Sequence, residues 1–131
     1  RLDESNGAIR IIDYKTGRVE QRELKLDSYD QIRDSNEFSK GFQLLFYTYL
    51  YQKQNTENQS SMLPGIISFR NLGAGLLKAN FEEAGDKDWP ASFEHVLKEI
   101  LQEIYDPAIP FTKTDEPKNC EYCLFKGICN R

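Results

Sequence analysis

Residues 7–14 alternate in a way that predicts a β-strand, with Ile9, Ile11 and Asp13 on one face and Ala8, Ile12 and Tyr14 on the other. Lys15, Thr16 and Gly17 then predict a turn. Residues 18–26 read as a second, more polar extended segment, antiparallel to the first. Residues 27–37 are polar and suit a loop or a short irregular helix. The period changes after Ser39, a suitable N-cap: Phe42, Leu45, Phe46 and Tyr49 fall at i, i+3, i+4 and i+7, and Leu44 and Leu50 widen the stripe. A largely buried helix over residues 40–54 follows from that pattern. Residues 55–61 form a polar loop. Two further strands are expected over 63–70 and 76–81, joined by a glycine-containing turn at 71–75. Residues 82–88 suit a solvated loop. A second helix should span 90–105 on an apolar face of Phe93, Leu97, Ile100, Leu101 and Ile104, with Pro107 and Pro110 ending it. No internal repeat is evident. The expected fold is therefore α/β, a small mixed sheet of about four strands packed against two main helices. It occupies a single domain over residues 1–131, of which 111–131 form a tail without strong period.

Composition agrees with a packed domain. The 131 residues are 39% hydrophobic and 29% charged, a folded mixture rather than a disordered one. The longest nearly apolar stretch, residues 44–51, is too short to cross a bilayer, so no membrane partner is expected and the cytoplasm is the default location. The net charge of −4 gives no global basic footprint of the kind that coats nucleic acid. It does not exclude enzymes that meet phosphates through cations held on carboxylates. The chain opens on Arg1-Leu2-Asp3, which reads as a strand already under way, and its one methionine is Met62. The expectation is a piece of a longer protein.

The sharpest local signal is the end of the first strand, Ile11-Ile12-Asp13-Tyr14-Lys15-Thr16-Gly17. Period-two geometry puts Asp13 and Lys15 on one face, in line with Ile9 and Ile11. A carboxylate and an ammonium ending an apolar face are costly unless something uses them. Metal-assisted hydrolysis of a phosphodiester does: the aspartate holds Mg²⁺ or Mn²⁺, and the lysine positions the attacking water and counters phosphate charge. Taken alone, an Asp-x-Lys reads rather as a solvated ion pair before a turn, because that spacing is common.

The stretch Arg1-Leu2-Asp3 … Asp13-Tyr14-Lys15-Thr16-Gly17 resembles the RecB/AddB-like branch of the PD-(D/E)xK nuclease superfamily, and Gln43 and Tyr47 match that branch's Gln-x-x-x-Tyr helix motif. Their i, i+4 spacing places both on one helix face. The resemblance runs from Arg1 to Cys129. It implies a restriction-endonuclease-like core, truncated at its N-terminal side, and an Mg²⁺-dependent deoxyribonuclease acting on DNA ends during double-strand-break repair. Asp13 would bind metal, Lys15 would serve the water, and Gln43 and Tyr47 would support the site or the DNA backbone. DNA would be the partner, together with the helicase portion or partner subunit of a larger helicase–nuclease.

All three cysteines lie in the tail, as Cys120-x2-Cys123-x5-Cys129. Zinc would need a fourth ligand, and the sole histidine, His95, sits on the predicted second helix, where a solvated role is the ordinary one. The resemblance implies instead that these three thiolates belong to a 4Fe-4S cluster whose fourth cysteine lies far upstream. The chain alone would then hold no intact cluster. The chain also departs from the branch's pattern. The first metal aspartate would stand roughly thirteen residues before Asp13, ahead of Arg1. Asp3 matches the second aspartate of that element, which is not a usual metal ligand. The 131 residues alone are therefore expected to be inactive. A catalytically inactive DNA-holding domain is the alternative, and a zinc-binding interaction module a more distant one.

Overall fold

The computed structural model describes residues 1–56, 61–81, 89–115 and 117–130. The expected loop over 82–88, and residues 57–60 of the expected loop over 55–61, lie outside the described residues. Two compact units divide the chain, residues 1–96 and 97–131.

The first unit is built on a four-stranded mixed sheet in the order β1-β2-β3-β4, with β1 at Leu2–Ser5, β2 at Ala8–Lys15, β3 at Met62–Ser68 and β4 at Leu77–Lys78. β1 and β2 form an antiparallel hairpin, Leu2 opposite Ile11 and Asp3 opposite Arg10. Asn6 and Gly7 make its turn with φ of 54° and 74°. Positive φ at both central residues twists the turn to match the strands, and Asn-Gly is the pair that adopts it most readily. The antiparallel partner of β2 is therefore upstream of it. The expected extended segment over 18–26 is instead a coil carrying a 3-10 turn at Gln21–Leu24, closed by Glu20 and Glu23 capping one another. Its Val19, Leu24 and Leu26 are buried.

β3 pairs with β2 in parallel, Ile9 against Met62 through to Lys15 against Ser68. A parallel pair needs a crossover. Here it contains a short helix α1 at Gln31–Asp34 and the long helix α2 at Ser39–Gln54. Ser39 is the first helical residue rather than the cap: Phe38 occupies the cap position without a side-chain bond, and Ser35 caps the preceding 3-10 turn by accepting from the Glu37 N–H. The deepest residues of α2 are Gly41, Leu44, Leu45 and Thr48. Leu44 joins Val19, Leu24 and Ile66 in the core, with Leu77, Ala79 and Phe81 packed around them. Each such aliphatic side chain contributes about 1.5–3 kcal/mol on burial. Thr48 satisfies its buried hydroxyl by donating to Leu44 O at 2.7 Å.

Of the stripe read from sequence Leu45 is fully buried, while Phe42, Phe46 and Tyr49 are only half-buried because they meet a different neighbour. Phe42 and Tyr49 lie 6.0 and 5.6 Å from the ring of Phe93, on the third helix α3 at Trp89–Tyr105. α2 is thus packed on two sides, which blurs its single-face period. On α3 only Phe93 and Val96 are buried, while Leu101 and Ile104 of the expected apolar face are about half exposed.

The expected strand over 63–70 ends at Ser68 and passes into 3-10 turns at Phe69–Ala74; the strand expected over 76–81 keeps only two residues in the sheet. Ala79 N–H still donates to Pro64 O of β3 at 2.9 Å, and beyond it the chain changes partner. Asn80 N–H donates to Leu24 O and Asn80 O accepts from the Leu26 N–H, both at 3.0 Å. Gly65 leaves no room for a side chain: a Cβ there would stand 2.7 Å from Leu77 O and 2.8 Å from Leu76 Cδ1.

The second unit comprises the rest of α3 and a tail with a 3-10 turn at Pro117–Cys120. Tyr105, Phe111, Tyr122, Leu124 and Ile128 are all exposed. Among the described residues no helix is long and apolar enough to cross a membrane.

Candidate functional site

Strand alternation gives β2 two chemically different faces. Ile9, Ile11, Asp13 and Lys15 share the face that carries α2, where their β3 partners Pro64, Ile66 and Ser68 are buried. Arg10, Ile12 and Tyr14 point the other way. The hairpin puts Asp3 on that second face, opposite Arg10, which grips its carboxylate through Nε at 2.6 Å and Nη2 at 2.9 Å. Arg1 Nε adds a contact at 3.2 Å. The Arg10 hydrogen bond, outweighing partial burial, holds the Asp3 carboxyl below its ordinary range. Asp3 and Asp13 therefore sit on opposite sides of the sheet, and Asp3 is already occupied as an acceptor.

At the end of β2 the structure brings Asp13, Lys15, Gln43 and Tyr47 into one line of contacts. Lys15 Nζ lies 2.8 Å from Asp13 Oδ2 and donates to Gln43 Oε1 at 2.7 Å. Gln43 Nε2 donates to Tyr47 Oη at 2.8 Å. The helix contributes its part because residues four apart stand one turn above another. The strand contributes its part because residues two apart share a face. Ser68, the register partner of Lys15, is fully buried and donates to Gly17 O at 2.8 Å, which ties the turn after Lys15 to β3.

A cleft of about 410 Å³ opens beside this line. Arg1, Leu2, Ile11, Ile12 and Asp13 wall one side, and Tyr47, Leu50, Tyr51 and Gln54 of α2 the other. The sequence reading did not find this wall. Its signal is present, since Tyr51 and Gln54 continue the Gln43–Tyr47 face at i+8 and i+11, but an expected burial stripe at Leu50 concealed it. Tyr47 and Leu50 are about 40% exposed, so the line of contacts that runs from Lys15 through Gln43 ends at solvent.

Across residues 1–130 the sequence matches the PD-(D/E)XK nuclease superfamily. The chain belongs to that superfamily. Asp13-Tyr14-Lys15 has the acid, any residue, lysine form of the superfamily's name, and a mixed four-stranded sheet with flanking helices is the restriction-endonuclease-like fold of a PD-(D/E)XK domain. No curated protein and no solved structure matches the chain.

PD-(D/E)XK nucleases typically use Mg²⁺ or Mn²⁺, and the donor chemistry at Asp13 suits such a cation in part. Asp13 Oδ2 is buried and has no hydrogen-bond donor aligned with it; the Lys15 ammonium faces it as an ion pair, not along a hydrogen bond. An anionic oxygen so placed is the hard ligand that Mg²⁺ prefers. The number of ligands falls short, however. Among the described residues no group of three His, Cys, Asp or Glu side chains is gathered for a metal, and Asp13 is the one carboxylate lining the cleft. The three cysteines are free thiols, partly buried in the second unit, with Cys123 N–H donating to Cys120 O at 3.2 Å.

Proposed function

We propose that this chain carries the lysine-bearing part of a metal-dependent DNA nuclease centre of the RecB/AddB-like branch, working on DNA ends within a larger helicase–nuclease in double-strand-break repair. The observation that carries this reading is the unbroken line Asp13–Lys15–Gln43–Tyr47 at the mouth of a cleft, with a buried carboxylate oxygen, Asp13 Oδ2, met only by the Lys15 ammonium as an ion pair. Asp13 would give one ligand to the cation, and chain outside these 131 residues would complete the set. The cation, when bound, supplies Lewis-acid neutralisation of phosphoryl charge. Lys15 has three N–H donors; one is committed to Gln43 and the ammonium also pairs with Asp13, which together fix it in place and leave its remaining capacity to face a phosphoryl oxygen or hold the attacking water. Gln43 is in turn fixed by Tyr47, so the helix positions a charge presented by the strand.

In the full-length protein, Asp13→Ala and Lys15→Ala should each lower Mg²⁺-dependent degradation of linear DNA by on the order of a hundredfold or more. Melting temperatures should stay close to that of the parent, because neither side chain belongs to the apolar core. Near-normal cleavage by Asp13→Ala with normal metal dependence would refute its assignment. Asp13 is the single carboxylate of the cleft among the described residues, which favours a second reading, a nuclease-like domain that holds DNA without cutting it. A full-length protein that binds linear DNA and never cleaves it in Mg²⁺ or Mn²⁺ would select that reading. In the tail, Cys120, Cys123 and Cys129 would supply three thiolates of a 4Fe-4S cluster, the fourth coming from elsewhere in the protein.

A further inference from the structure

The cleft beside Asp13 has lining residues, Leu50, Tyr51 and Gln54, that the phosphodiester chemistry leaves unused. Its α2 wall offers two tyrosine rings, one aliphatic side chain and one terminal amide, and no cation; Arg1, on the facing side of the cleft, already contacts Asp3. Such a wall is poorly made for phosphate, which calls for cations or clustered N–H groups. It matches the chemistry of a nucleobase, which has apolar π-faces and a hydrogen-bonding edge.

We propose that this cleft is a base-binding subsite, which takes one unpaired nucleotide of a single DNA strand against Tyr47 and Tyr51, with Gln54 at the base edge. The proposal rests on the nuclease reading above and adds to it the form of the substrate at the cutting point. Size limits the occupant: about 410 Å³ lies at the small end of the roughly 300–1,000 Å³ range of small-molecule sites, enough for one nucleotide. A duplex does not enter it, because its major groove alone is about 12 Å wide and its stacked bases present only edges. Only a base freed from its stack has a face to offer an aromatic wall.

Position links the subsite to the reacting group. Asp13 lines the cleft and contacts Lys15, and Tyr47 lines the cleft and is bonded through Gln43 to the same lysine. Tyr47 and Tyr51 stand one helical turn apart, roughly 6 Å at 1.5 Å rise per residue, a spacing that spans one base. A base lodged there belongs to the nucleotide beside the phosphate that Lys15 faces. Since every base has a π-face, the grip tolerates any sequence. It also lets these 131 residues, of net charge −4, hold DNA without a broad basic surface.

The test uses the full-length protein and fluorescent single-stranded oligonucleotides carrying one abasic site, moved stepwise past the cleavage point. For the parent protein, one abasic position should raise KM for cleavage, and Kd for binding in Ca²⁺, by roughly tenfold. Tyr51→Ala should raise both values by a similar factor on intact DNA and be indifferent to that abasic position, since ring and base are lost together. Tyr51→Phe, which keeps the ring, should restore the abasic sensitivity. Melting curves separate misfolding, and if Tyr51→Ala fails to fold, Gln54→Ala at the exposed end of the helix carries the same comparison. Insensitivity of the parent to every abasic position would overturn the subsite, as would equal abasic penalties in parent and Tyr51→Ala. The two readings fail separately. Cleavage without abasic sensitivity leaves the nuclease and removes the subsite; abasic-sensitive, Tyr51-dependent binding without cleavage leaves the subsite and removes the nuclease.

Discussion

Lys15 shows how a few single side chains set the character of the site. An ammonium 2.8 Å from a carboxylate is ordinarily a closed ion pair of little consequence. Here Gln43 draws one proton of that ammonium toward α2, and Asp13 Oδ2 keeps no aligned donor of its own. Both charges therefore retain capacity for a third party. Backbone contacts set a second limit at this scale. Gly65 lies in β3 directly opposite Ile12, and an alanine methyl there would press on Leu77 O at 2.7 Å. A carbonyl in a paired strand cannot swing aside as a flexible side chain can. Gly65→Ala should accordingly cost about 1–3 kcal/mol, read as a lower urea midpoint with unchanged slope. A variant as stable as the parent would show that β4 shifts freely.

At the level of elements, α2 joins the sheet to α3, and part of that join is electrostatic. Tyr49 Oη donates to Glu94 Oε2 at 2.8 Å, and Lys53 Nζ reaches the same oxygen at 2.7 Å while lying 5.4 Å from the Tyr49 ring centre. Burial, with the Glu94 carboxylate beside it, raises the Tyr49 hydroxyl above its ordinary 10.0; the Glu94 hydrogen bond raises Lys53 above 10.5. Both groups hold their protons more tightly in the folded state. Their contribution is therefore full below about pH 10 and is lost as pH rises through the raised values. Urea midpoints measured at about pH 9 and about pH 11 should fall further for the parent than for Glu94→Gln, which has already lost the shared acceptor charge. An equal fall in both would remove the clamp from the account of stability.

For the whole molecule, the tail raises a question that the sheet does not. Cys120, Cys123 and Cys129 are free and partly buried, while Tyr122, Leu124 and Ile128 between them are exposed. Apolar side chains held outward around thiols suit a segment whose order comes from something it binds. If the tail closes a 4Fe-4S cluster with a cysteine elsewhere, full-length protein prepared without oxygen should be brown and hold about four irons per chain, and Cys123→Ala should lose them. The 131 residues alone, with three thiols, should not retain that iron in air. A colourless full-length protein would count against the cluster, and an iron-loaded 131-residue chain would count against the need for a fourth cysteine.

Each half of the candidate site was legible in the sequence, because each half follows from local geometry. Alternation along residues 7–14 put Asp13 and Lys15 on one face, and a four-residue spacing put Gln43 and Tyr47 on one helix surface. Backbone dihedrals alone impose those periods. The Asn6-Gly7 turn was equally local, and reading it would have shown the antiparallel partner of β2 lying upstream rather than at 18–26. Tertiary structure decided what no local period contains: that Gln43 meets Lys15 across 28 residues of chain, and that Ser68 anchors the turn after Lys15 across 51. It also turned α2 so that Leu44 enters the core, Phe42 and Tyr49 meet Phe93, and Tyr51 and Gln54 wall a cleft. A helix's period gives its faces but not its rotation. The rotation is fixed only when the sheet, the 18–26 coil and α3 compete for those faces, and burying the most apolar area against all three selects one arrangement.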